Sequence, residues 1–447
     1  MEAAPATDRL QWRDWLALSV FGLVLVLFGW LVVHRSAGSD ARRTDLEVYA
    51  RAAWGARTGH DIYEVTDSHG WHYCYPPTFA VLMGPLGDPP PGESRAGYLP
   101  FAVTVAIWYS LSILALFLAA HVLATAIESL STLRPRVGSR RWLWLRLGPI
   151  LITLPAIGNT LSRGQINLVV MMLLCSMIAA AIGRHSMRAG SWLGFAVALK
   201  AIPAFLGLIA LRQRDWRWIG ATAVAAIVMA IGLPALVLGP TEAINDNLKF
   251  VHVMVKPALQ TADNMARADE MFDVVNTDNQ SIQAVLHCWR WWGNPDAPHE
   301  TSGLTRAGHW MIGAILTLTT LMATRGRRLR GNDFVLFCGS LIVVMVLISP
   351  MCHLHYFCFA MPLVLGLLHH EWRDQTGIAI GKRLKWLLIL HIAGGAFPLI
   401  FEDYRKLGVA PLTTLPLWFE AIRALSVDRF IGRKPAPITV PTQRKAA

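Results

Sequence analysis

The stretch WLALSVFGLVLVLFGWLVVH, residues 15–34, decides the class of the fold because it is apolar along almost its whole length. A helix of about 20 apolar residues crosses about 30 Å of hydrocarbon. The apolar part of a cleaved signal peptide runs to only about 15 residues, so this stretch is too long for one. We therefore expect a retained first membrane span over residues 15–34, with the N-terminus on the cytoplasmic side.

Apolar runs recur along the rest of the chain, and the overall composition agrees with them. Hydrophobic residues make up 54% of the sequence and charged residues 16%, with a mean hydropathy of +0.41. This balance is far from that of a soluble protein. The sequence predicts an all-α, polytopic membrane helix bundle that forms a single domain over residues 1–430. About twelve transmembrane helices are expected, at residues 15–34, 75–86, 98–127, 145–160, 165–182, 192–211, 216–238, 307–323, 334–349, 355–369, 386–401 and 411–425.

Two long polar segments separate these runs, and both are predicted to be extracytoplasmic loops. They cover residues 35–74 and 240–305. Short loops rich in Lys and Arg are retained in the cytoplasm. Alternation of the spans from a cytoplasmic N-terminus puts the basic tail, residues 431–447, on that side, where we expect it to be disordered. It also puts three basic clusters there, around residues 212–217, 325–330 and 373–385.

One basic loop disagrees with this alternation. Residues 128–146 contain five arginines, yet they fall on the outer side. Either the short run at residues 75–86 does not cross the membrane, or these arginines meet phosphates. The same alternation puts Arg163 on the cytoplasmic side.

The net charge of +12 comes from arginines in short loops between spans. This distribution argues against a nucleic-acid partner and fits contact with anionic membrane lipids. The six cysteines have neither CxxC nor metal-ligand spacing, so we expect no metal and no cofactor. Cys74 and Cys288 both lie in predicted outer loops, where a disulfide between them and two unpaired thiols are both open.

Asp45 stands out among the carboxylates of the first outer loop. It opens the helix-compatible stretch DLEVYA, in which Asp45 and Tyr49 share one face. A carboxylate beside a membrane interface is partly desolvated, which makes it a better general base. The alternative is that Asp45 only caps a surface helix, and the spacing alone favours this cap.

A series of short motifs extends from the first outer loop to residue 356. They are Asp45 with Tyr49, Gly59 with Tyr63, Tyr75-Pro76-Pro77, Gly164-Gln165-Ile166-Asn167, Ala189-Gly190-Ser191-Trp192-Leu193-Gly194 followed by Lys200 and Pro203, and Ser349-Pro350 followed by His353, His355 and Tyr356. In their order and spacing these motifs resemble bacterial glycosyltransferase family 87. The similarity covers roughly residues 15–370, although no single motif is specific.

The resemblance implies a GT-C type enzyme of the inner membrane, similar to polyprenyl-phosphate-mannose-dependent α-mannosyltransferases and related arabinosyltransferases. Such an enzyme moves a sugar from a polyprenyl-phosphate donor to a cell-envelope glycolipid or glycan acceptor, with inversion, on the outer face. The resemblance also implies that Asp45 is the general base, whereas the spacing alone favours a helix cap.

A phosphate leaving group needs positive charge nearby, which arginine, lysine or histidine supplies without a metal. The candidates for binding the donor phosphate are His355, His353, Lys200 and Arg163. The candidates for binding the sugar or the acceptor are Tyr49, Tyr75, Gln165, Asn167, Asn279 and Gln280.

These polar residues also have structural interpretations. Histidines near an interface anchor helix ends, and Lys200 in an apolar run can pair inside the bundle. Gln165 and Asn167 can cap or join helices. Two other function classes stay open, a lipid or sugar transporter (or flippase) and a non-catalytic envelope assembly protein. A transporter favours inverted internal repeats, and we find none in this sequence.

Overall fold

The structure is a computed structural model, and it describes most of the chain. The described residues are 9–38, 42–130, 134–259, 270, 272–294, 296–373 and 377–430. The predicted basic tail, residues 431–447, lies outside them, as does part of the predicted second outer loop.

The described residues form helices, and none of them lies in a β-strand, which confirms the all-α prediction. The α-helices are α1 (Trp12–Ala37), α2 (Leu46–Thr58), α3 (Pro77–Leu82), α4 (Phe101–Glu128), α5 (Arg140–Ile152), α6 (Leu154–Arg163), α7 (Asn167–Ile182), α8 (Ser186–Leu199), α9 (Gly207–Gln213), α10 (Trp216–Ile227), α11 (Leu233–Leu238), α12 (Pro240–Phe250), α13 (Lys256–Ala258), α14 (Ile282–Arg290), α15 (Gly303–Ala323), α16 (Gly331–Leu347), α17 (Met361–Trp372), α18 (Lys382–Ile400) and α19 (Val409–Phe430). The 3₁₀ segments are Gly84–Leu86, Ile202–Leu206, Leu354–Ala360 and Glu402–Leu407, and the π segments are Val228–Gly232 and Val251–Val255.

In the described part of the chain, four helices are long and apolar enough to cross a membrane. They are Trp12–Ala37, Phe101–Glu128, Trp216–Leu238 and Lys382–Ile400. Several other predicted spans are interrupted. The run at 145–160 divides into α5 and α6 at Thr153, and the run at 192–211 is broken at Lys200, whose backbone is extended. The predicted number of about twelve therefore stays a prediction.

The run at residues 75–86 is too short to span a membrane. Pro76 and Pro77 begin α3, which is only six residues long, and a 3₁₀ turn follows it. Six helical residues extend about 9 Å, far less than the roughly 30 Å of hydrocarbon. The expectation that this run crosses the membrane is therefore wrong.

The N-terminus and the arginine-rich loop before α5 lie side by side. The backbones of Arg9 and Ser139 pair in a single antiparallel β-bridge, and the guanidinium of Arg140 lies 3.0 Å from the Asp14 carboxylate. The expectation that residues 128–146 lie across the membrane from the N-terminus is thus wrong, because the alternation had counted the run at 75–86 as a span.

Two of the three basic clusters also meet at helix ends. Arg212 donates to the Thr324 carbonyl, and Arg327 donates to the carbonyl of Leu425, 2.8 Å away. The clusters around 212–217 and 325–330 therefore share one end of the bundle.

Close helix packing explains the small residues of the Ala189–Gly194 motif. A Cβ on Gly190 would lie 2.4 Å from the Trp218 carbonyl oxygen, and one on Gly194 would lie 2.6 Å from that of Thr222. Helices α8 and α10 thus approach through their backbones, as small residues four apart allow.

The predicted first outer loop folds back into the bundle instead of extending into water. Every residue of α2 from Leu46 to Gly55 is buried. Asp88, itself buried, lies within ion-pair distance of Arg42, Arg51 and Arg95, and so joins the loop before α4 to the segment that carries α2. This network fixes α2, and with it the position of its first residues.

Candidate active site

Asp45 lies at the N-terminus of α2, but its carboxylate does not cap the helix. Its Oδ2 accepts a hydrogen bond from the side-chain amide of Gln165. The backbone is held at the same place, since the Asp45 N–H and the Thr44 hydroxyl both donate to the Arg163 carbonyl, at 2.9 and 3.0 Å. The side chain remains 34% exposed. The carboxylate is therefore oriented by another element and still open to a ligand.

Gly164 allows this contact between α2 and the end of α6. Its φ of +68° ends the helix in the left-handed region, which favours glycine. A Cβ there would lie only 2.8 Å from the Cβ of Leu46. The Gly164 carbonyl also accepts from the indole of Trp108, at 2.7 Å. The Gly164-Gln165 motif is thus the piece that α2 docks against.

Two buried tyrosines continue the hydrogen bonds behind Asp45. The Tyr75 hydroxyl donates to the Gln165 side-chain carbonyl at 2.8 Å, and the Tyr49 hydroxyl donates to that of Tyr75 at 3.2 Å. Because Asp45, Gln165, Tyr75 and Tyr49 form one chain of contacts, the structure brings these predicted residues together. The two tyrosine hydroxyls are used inside the protein, and only the Asp45 end reaches a more open surface.

Arg163 stands between two carboxylates. Its guanidinium lies 3.8 Å from Asp45 Oδ2 and 2.7 Å from Asp278 Oδ2, while Arg405 pairs with the other oxygen of Asp278. The sequence had put Arg163 on the side opposite Asp45. That expectation is wrong, for the same reason as before: the run at 75–86 does not cross.

A small cavity opens beside this arginine pair. Its polar wall consists of Asn159, Arg163, Asp278, Gln280, His353 and Arg405, and its apolar wall of Leu354, Pro398 and Leu399. Burial lowers the pKa of His353 to about 4, and the positive charge of Arg163 acts in the same direction. The imidazole is thus neutral at physiological pH, where it offers hydrogen bonds without a charge.

Lys200, Asn167 and His355 lie deeper and contact one another through Asn167. The Lys200 ammonium donates to Asn167 Oδ1 at 2.7 Å and lies 4.0 Å from the centre of the Tyr356 ring. The Asn167 amide donates to the His355 carbonyl at 3.3 Å. All three side chains are buried, so these candidates belong to the layer behind the cavity.

Asn279 and Gln280 connect the predicted second outer loop to neighbouring loops. The Asn279 amide oxygen accepts from the Cys352 N–H at 3.2 Å, and its nitrogen donates to the Pro350 carbonyl. Gln280 donates to the Arg405 carbonyl at 2.7 Å. The two residues therefore position the loop that carries Asp278, and Gln280 also lines the cavity.

A family model agrees with this architecture. The model described as glycosyltransferase family 87 matches residues 73–350, more than half of the chain. The chain belongs to glycosyltransferase family 87. It is therefore a glycosyltransferase and a multi-pass membrane protein, as the motifs of the sequence had indicated.

Curated relatives of this family 87 glycosyltransferase are mycobacterial enzymes. A polyprenol-phosphate-mannose-dependent alpha-(1-2)-phosphatidylinositol mannoside mannosyltransferase of Mycobacterium tuberculosis is 26% identical over 77% of this chain and 74% of its own. The Mycolicibacterium smegmatis protein of the same name is 23% identical over 92% of this chain and 85% of its own. An alpha-(1->3)-arabinofuranosyltransferase of M. tuberculosis is 28% identical over 49% of this chain and 48% of its own.

Among solved structures, ArnT from Cupriavidus metallidurans bound to undecaprenyl phosphate is similar to the chain. The TM-score is 0.39 at 14% identity, over 95% of this chain and 79% of ArnT. The assignment of this chain rests on the family match and not on this distant likeness.

Sequence reasoning missed Arg405 and gave Asp278 no role. A signal for Arg405 was present, because it lies between two predicted spans, at 386–401 and 411–425, in a loop that alternation puts outside. Arginine is uncommon in short outer loops, so its presence there favours a specific partner. That Asp278 is this partner is a long-range contact that no local pattern indicates.

In the described part of the chain, one group of side chains has the spacing of a metal site, namely Glu47, Asp67 and His69. Glu47 already accepts from Arg42 and Arg51 through one oxygen and from Ser68 through the other, at 2.7 Å. A cation there would have to compete with these donors. The predicted absence of a metal stays a prediction.

The two cysteines of the predicted outer loops form no disulfide with each other. Cys74 and Cys288 are both free thiols here, and the Cys288 thiol lies 3.6 Å from the Val274 carbonyl oxygen. The structure thus favours two unpaired thiols over a disulfide.

Proposed function

We propose that this GT-C type glycosyltransferase moves a sugar, with mannose favoured, from a polyprenyl-phosphate donor to a glycolipid or glycan acceptor. Support comes from the names of the relatives, two of which are polyprenol-phosphate-mannose-dependent mannosyltransferases that act on phosphatidylinositol mannosides. The arabinofuranosyltransferase relative makes arabinofuranose the second donor sugar to test.

The observation that carries this proposal is the partly exposed Asp45 carboxylate, held by Gln165 and lying 3.8 Å from Arg163. In the proposed reaction the acceptor hydroxyl gives its proton to Asp45 while its oxygen attacks the anomeric carbon. The bond from that carbon to the phosphate oxygen breaks on the opposite face, so the configuration inverts. The polyprenyl phosphate leaves with the bonding electrons.

Negative charge gathers on the leaving phosphate, and two groups suit it: Arg163, which lies 3.8 Å from Asp45, and the neutral His353, which lines the same cavity as Arg163. A guanidinium can donate two parallel hydrogen bonds to phosphate oxygens. We assign Lys200 and His355 to a supporting role, since they contact Asn167 and the Tyr356 ring behind the cavity.

We place the reaction on the extracytoplasmic side of the inner membrane. The N-terminus meets Ser139 and Arg140, and a Cβ on Gly331, next to the arginines at 325–330, would lie 3.8 Å from Leu130 at the end of the preceding α4 segment. These basic segments therefore share one end of the bundle, and basic loops are retained in the cytoplasm. Without the run at 75–86 as a span, the alternation puts Asp45 and Arg163 together on the outer side, and Asp278 lies there with them because it pairs with Arg163.

The test is sugar transfer in nanodiscs from radiolabelled polyprenyl-phosphate mannose to membrane glycolipid, with wild type beside Asp45→Asn. We expect a loss of about 10²- to 10⁴-fold in turnover, the usual contribution of a general base. Asp61→Asn is the control, because Asp61 is in the same loop, is 26% exposed and pairs with Lys249. Transfer by a folded Asp45→Asn protein at the wild-type rate would overturn the assignment of the base. In a separate measurement with the protein in lipid vesicles, movement of the donor across the vesicle membrane without sugar transfer would favour a transporter.

A further inference from the structure

Two arginines from distant parts of the chain meet on one carboxylate. Arg163 ends α6, and Arg405 lies in the 3₁₀ segment between α18 and α19. Arg163 Nη2 lies 2.7 Å from Asp278 Oδ2, and Arg405 Nη1 donates to Oδ1. Each carboxylate oxygen therefore has its own guanidinium, which is the way two arginines would hold an oxyanion with two free oxygens.

Arg405 is fixed in this position by further contacts. Its Nε donates to the Pro398 carbonyl at 2.8 Å, and its Nη2 lies 2.9 Å from a carboxylate oxygen of Glu402. Gln280 in turn donates to the Arg405 backbone carbonyl. The guanidinium is thus held in place by groups other than Asp278, so its position does not depend on that carboxylate.

The surroundings of the pair are polar on one side and apolar on the other. Pro398 and Leu399 line the cavity at the end of α18, a helix apolar enough to cross a membrane. The apolar surface continues outward through Ile400, which is 71% exposed, and Phe401. An anion with a long hydrocarbon tail matches this arrangement, because its head meets two arginines while its tail follows a lipid-facing helix end.

We propose that Arg163 and Arg405 form a clamp for the phosphate of the lipid-linked donor and of the polyprenyl phosphate that it leaves behind. Asp278 is the internal occupant of this clamp, and the phosphate displaces it. This inference rests on the proposed function for the identity of the ligand. Because Asp278 competes for both arginines, it weakens the binding of the lipid phosphate and thereby favours release of the product.

The experiment measures the binding of farnesyl phosphate, a short lipid phosphate, to the full-length protein in an uncharged detergent by isothermal titration calorimetry. We expect Arg405→Gln to raise the Kd about tenfold or more, since a charged hydrogen-bond partner of the phosphate is lost. We expect Asp278→Asn to lower the Kd about three- to thirtyfold, because the competing charge is gone. A residue that only stabilises the fold would not tighten binding when it is replaced.

The matched control is Asp333→Asn, which breaks the Arg327–Asp333 pair of the same 2.7 Å length and similar exposure. It should leave the Kd unchanged. If Asp278→Asn alone does not fold, the double variant Asp278→Asn/Arg405→Gln removes one unpaired charge, and it should bind more tightly than Arg405→Gln. Equal or weaker binding after loss of Asp278 would overturn the proposal.

Two further ligands separate the sources of the phosphate. Inorganic phosphate lacks the lipid tail and farnesol lacks the phosphate, so both should bind at least tenfold more weakly than farnesyl phosphate. Equal binding of either would overturn the assignment to a lipid phosphate. The measurement needs no catalysis, so Asp45→Asn should show the same dependence on Asp278. If the protein binds farnesyl phosphate as expected but transfers no sugar, the proposed reaction is wrong and the proposed clamp still stands.

Discussion

The side-chain amide of Gln165 donates to the carboxylate of Asp45, although 120 positions separate the two residues in the sequence. The other end of the same amide accepts from the Tyr75 hydroxyl, so the side chain cannot rotate without losing both contacts. Gln165 therefore fixes the direction in which Asp45 presents its free oxygen.

We expect Gln165→Ala to lower kcat by about 10- to 100-fold, because displacing a catalytic group by about 1 Å can lower the rate by about 100-fold. The KM for the donor should change little, since Gln165 does not line the cavity beside Arg163. Initial rates of sugar transfer in nanodiscs provide the measurement.

Gln283→Ala is the control for this variant. Gln283 is also buried and has one side-chain partner, the Thr301 hydroxyl at 3.0 Å. It should lose stability without a selective loss of kcat. A Gln165→Ala enzyme with a normal kcat would show that Asp45 is oriented by its backbone contacts alone.

Gly164→Ala should destabilise the protein. The left-handed conformation costs a residue with a Cβ about 1–2 kcal/mol, and the added Cβ would lie 2.8 Å from that of Leu46. The contact between α2 and α6 would have to open. Thermal unfolding followed by tryptophan fluorescence should show a lower midpoint.

The matched control for that change is Gly158→Ala, in the same helix. A Cβ at Gly158 would meet no atom within 4 Å, and alanine is the better helix former. Its unfolding midpoint should stay the same or rise. A midpoint for Gly164→Ala as high as that for Gly158→Ala would contradict the role given to Gly164.

Local sequence predicted some parts of this structure and missed others for identifiable reasons. The apolar run at 15–34 predicted α1, because membrane insertion depends on the length and polarity of a continuous segment. The prediction of a span at 75–86 was wrong, because the apolar residues of this run are buried against α2 and the rest of the bundle rather than in lipid. Hydropathy alone does not distinguish these two environments.

The candidate site was predictable to a similar extent. Motif order brought Asp45, Gln165 and Tyr75 forward as candidates, but it did not show that they touch. The pairing of Asp278 with Arg405 depends on the return of the chain after α18, 127 residues later. A contact of this range depends on the packing of the whole bundle, which no short pattern contains.

Acid should weaken the ion pairs that Asp278 forms with Arg163 and Arg405. Burial alone would raise the pKa of Asp278, but the charges of Arg163 and Arg405 hold it below its usual range. A carboxylate whose pKa is lower in the folded chain stabilises the fold above its unfolded pKa of about 3.9. That contribution is lost as the pH falls through the lower folded value.

The measurement is the unfolding midpoint of wild type and Asp278→Asn between pH 3 and pH 7. We expect wild type to be the more stable by a constant amount from about pH 7 to pH 5, with the difference narrowing below about pH 4. The same difference at pH 3 as at pH 7 would contradict an ionised Asp278 in the folded protein.

Single cysteines can establish which ends of the bundle face the same side of the membrane. Glu93 is exposed in the loop that Asp88 ties to α2 through its pair with Arg51, and so lies on the side of Asp45. Val137 is 78% exposed and lies two residues before Ser139, the partner of Arg9. We expect a membrane-impermeant maleimide to label Glu93→Cys in intact spheroplasts, and Val137→Cys only after the membrane is opened. Labelling of the unsubstituted protein measures the background from its own thiols. Equal labelling of both variants in intact spheroplasts would return residues 128–146 to the outer side and would contradict the topology on which the outer placement of Asp45 depends.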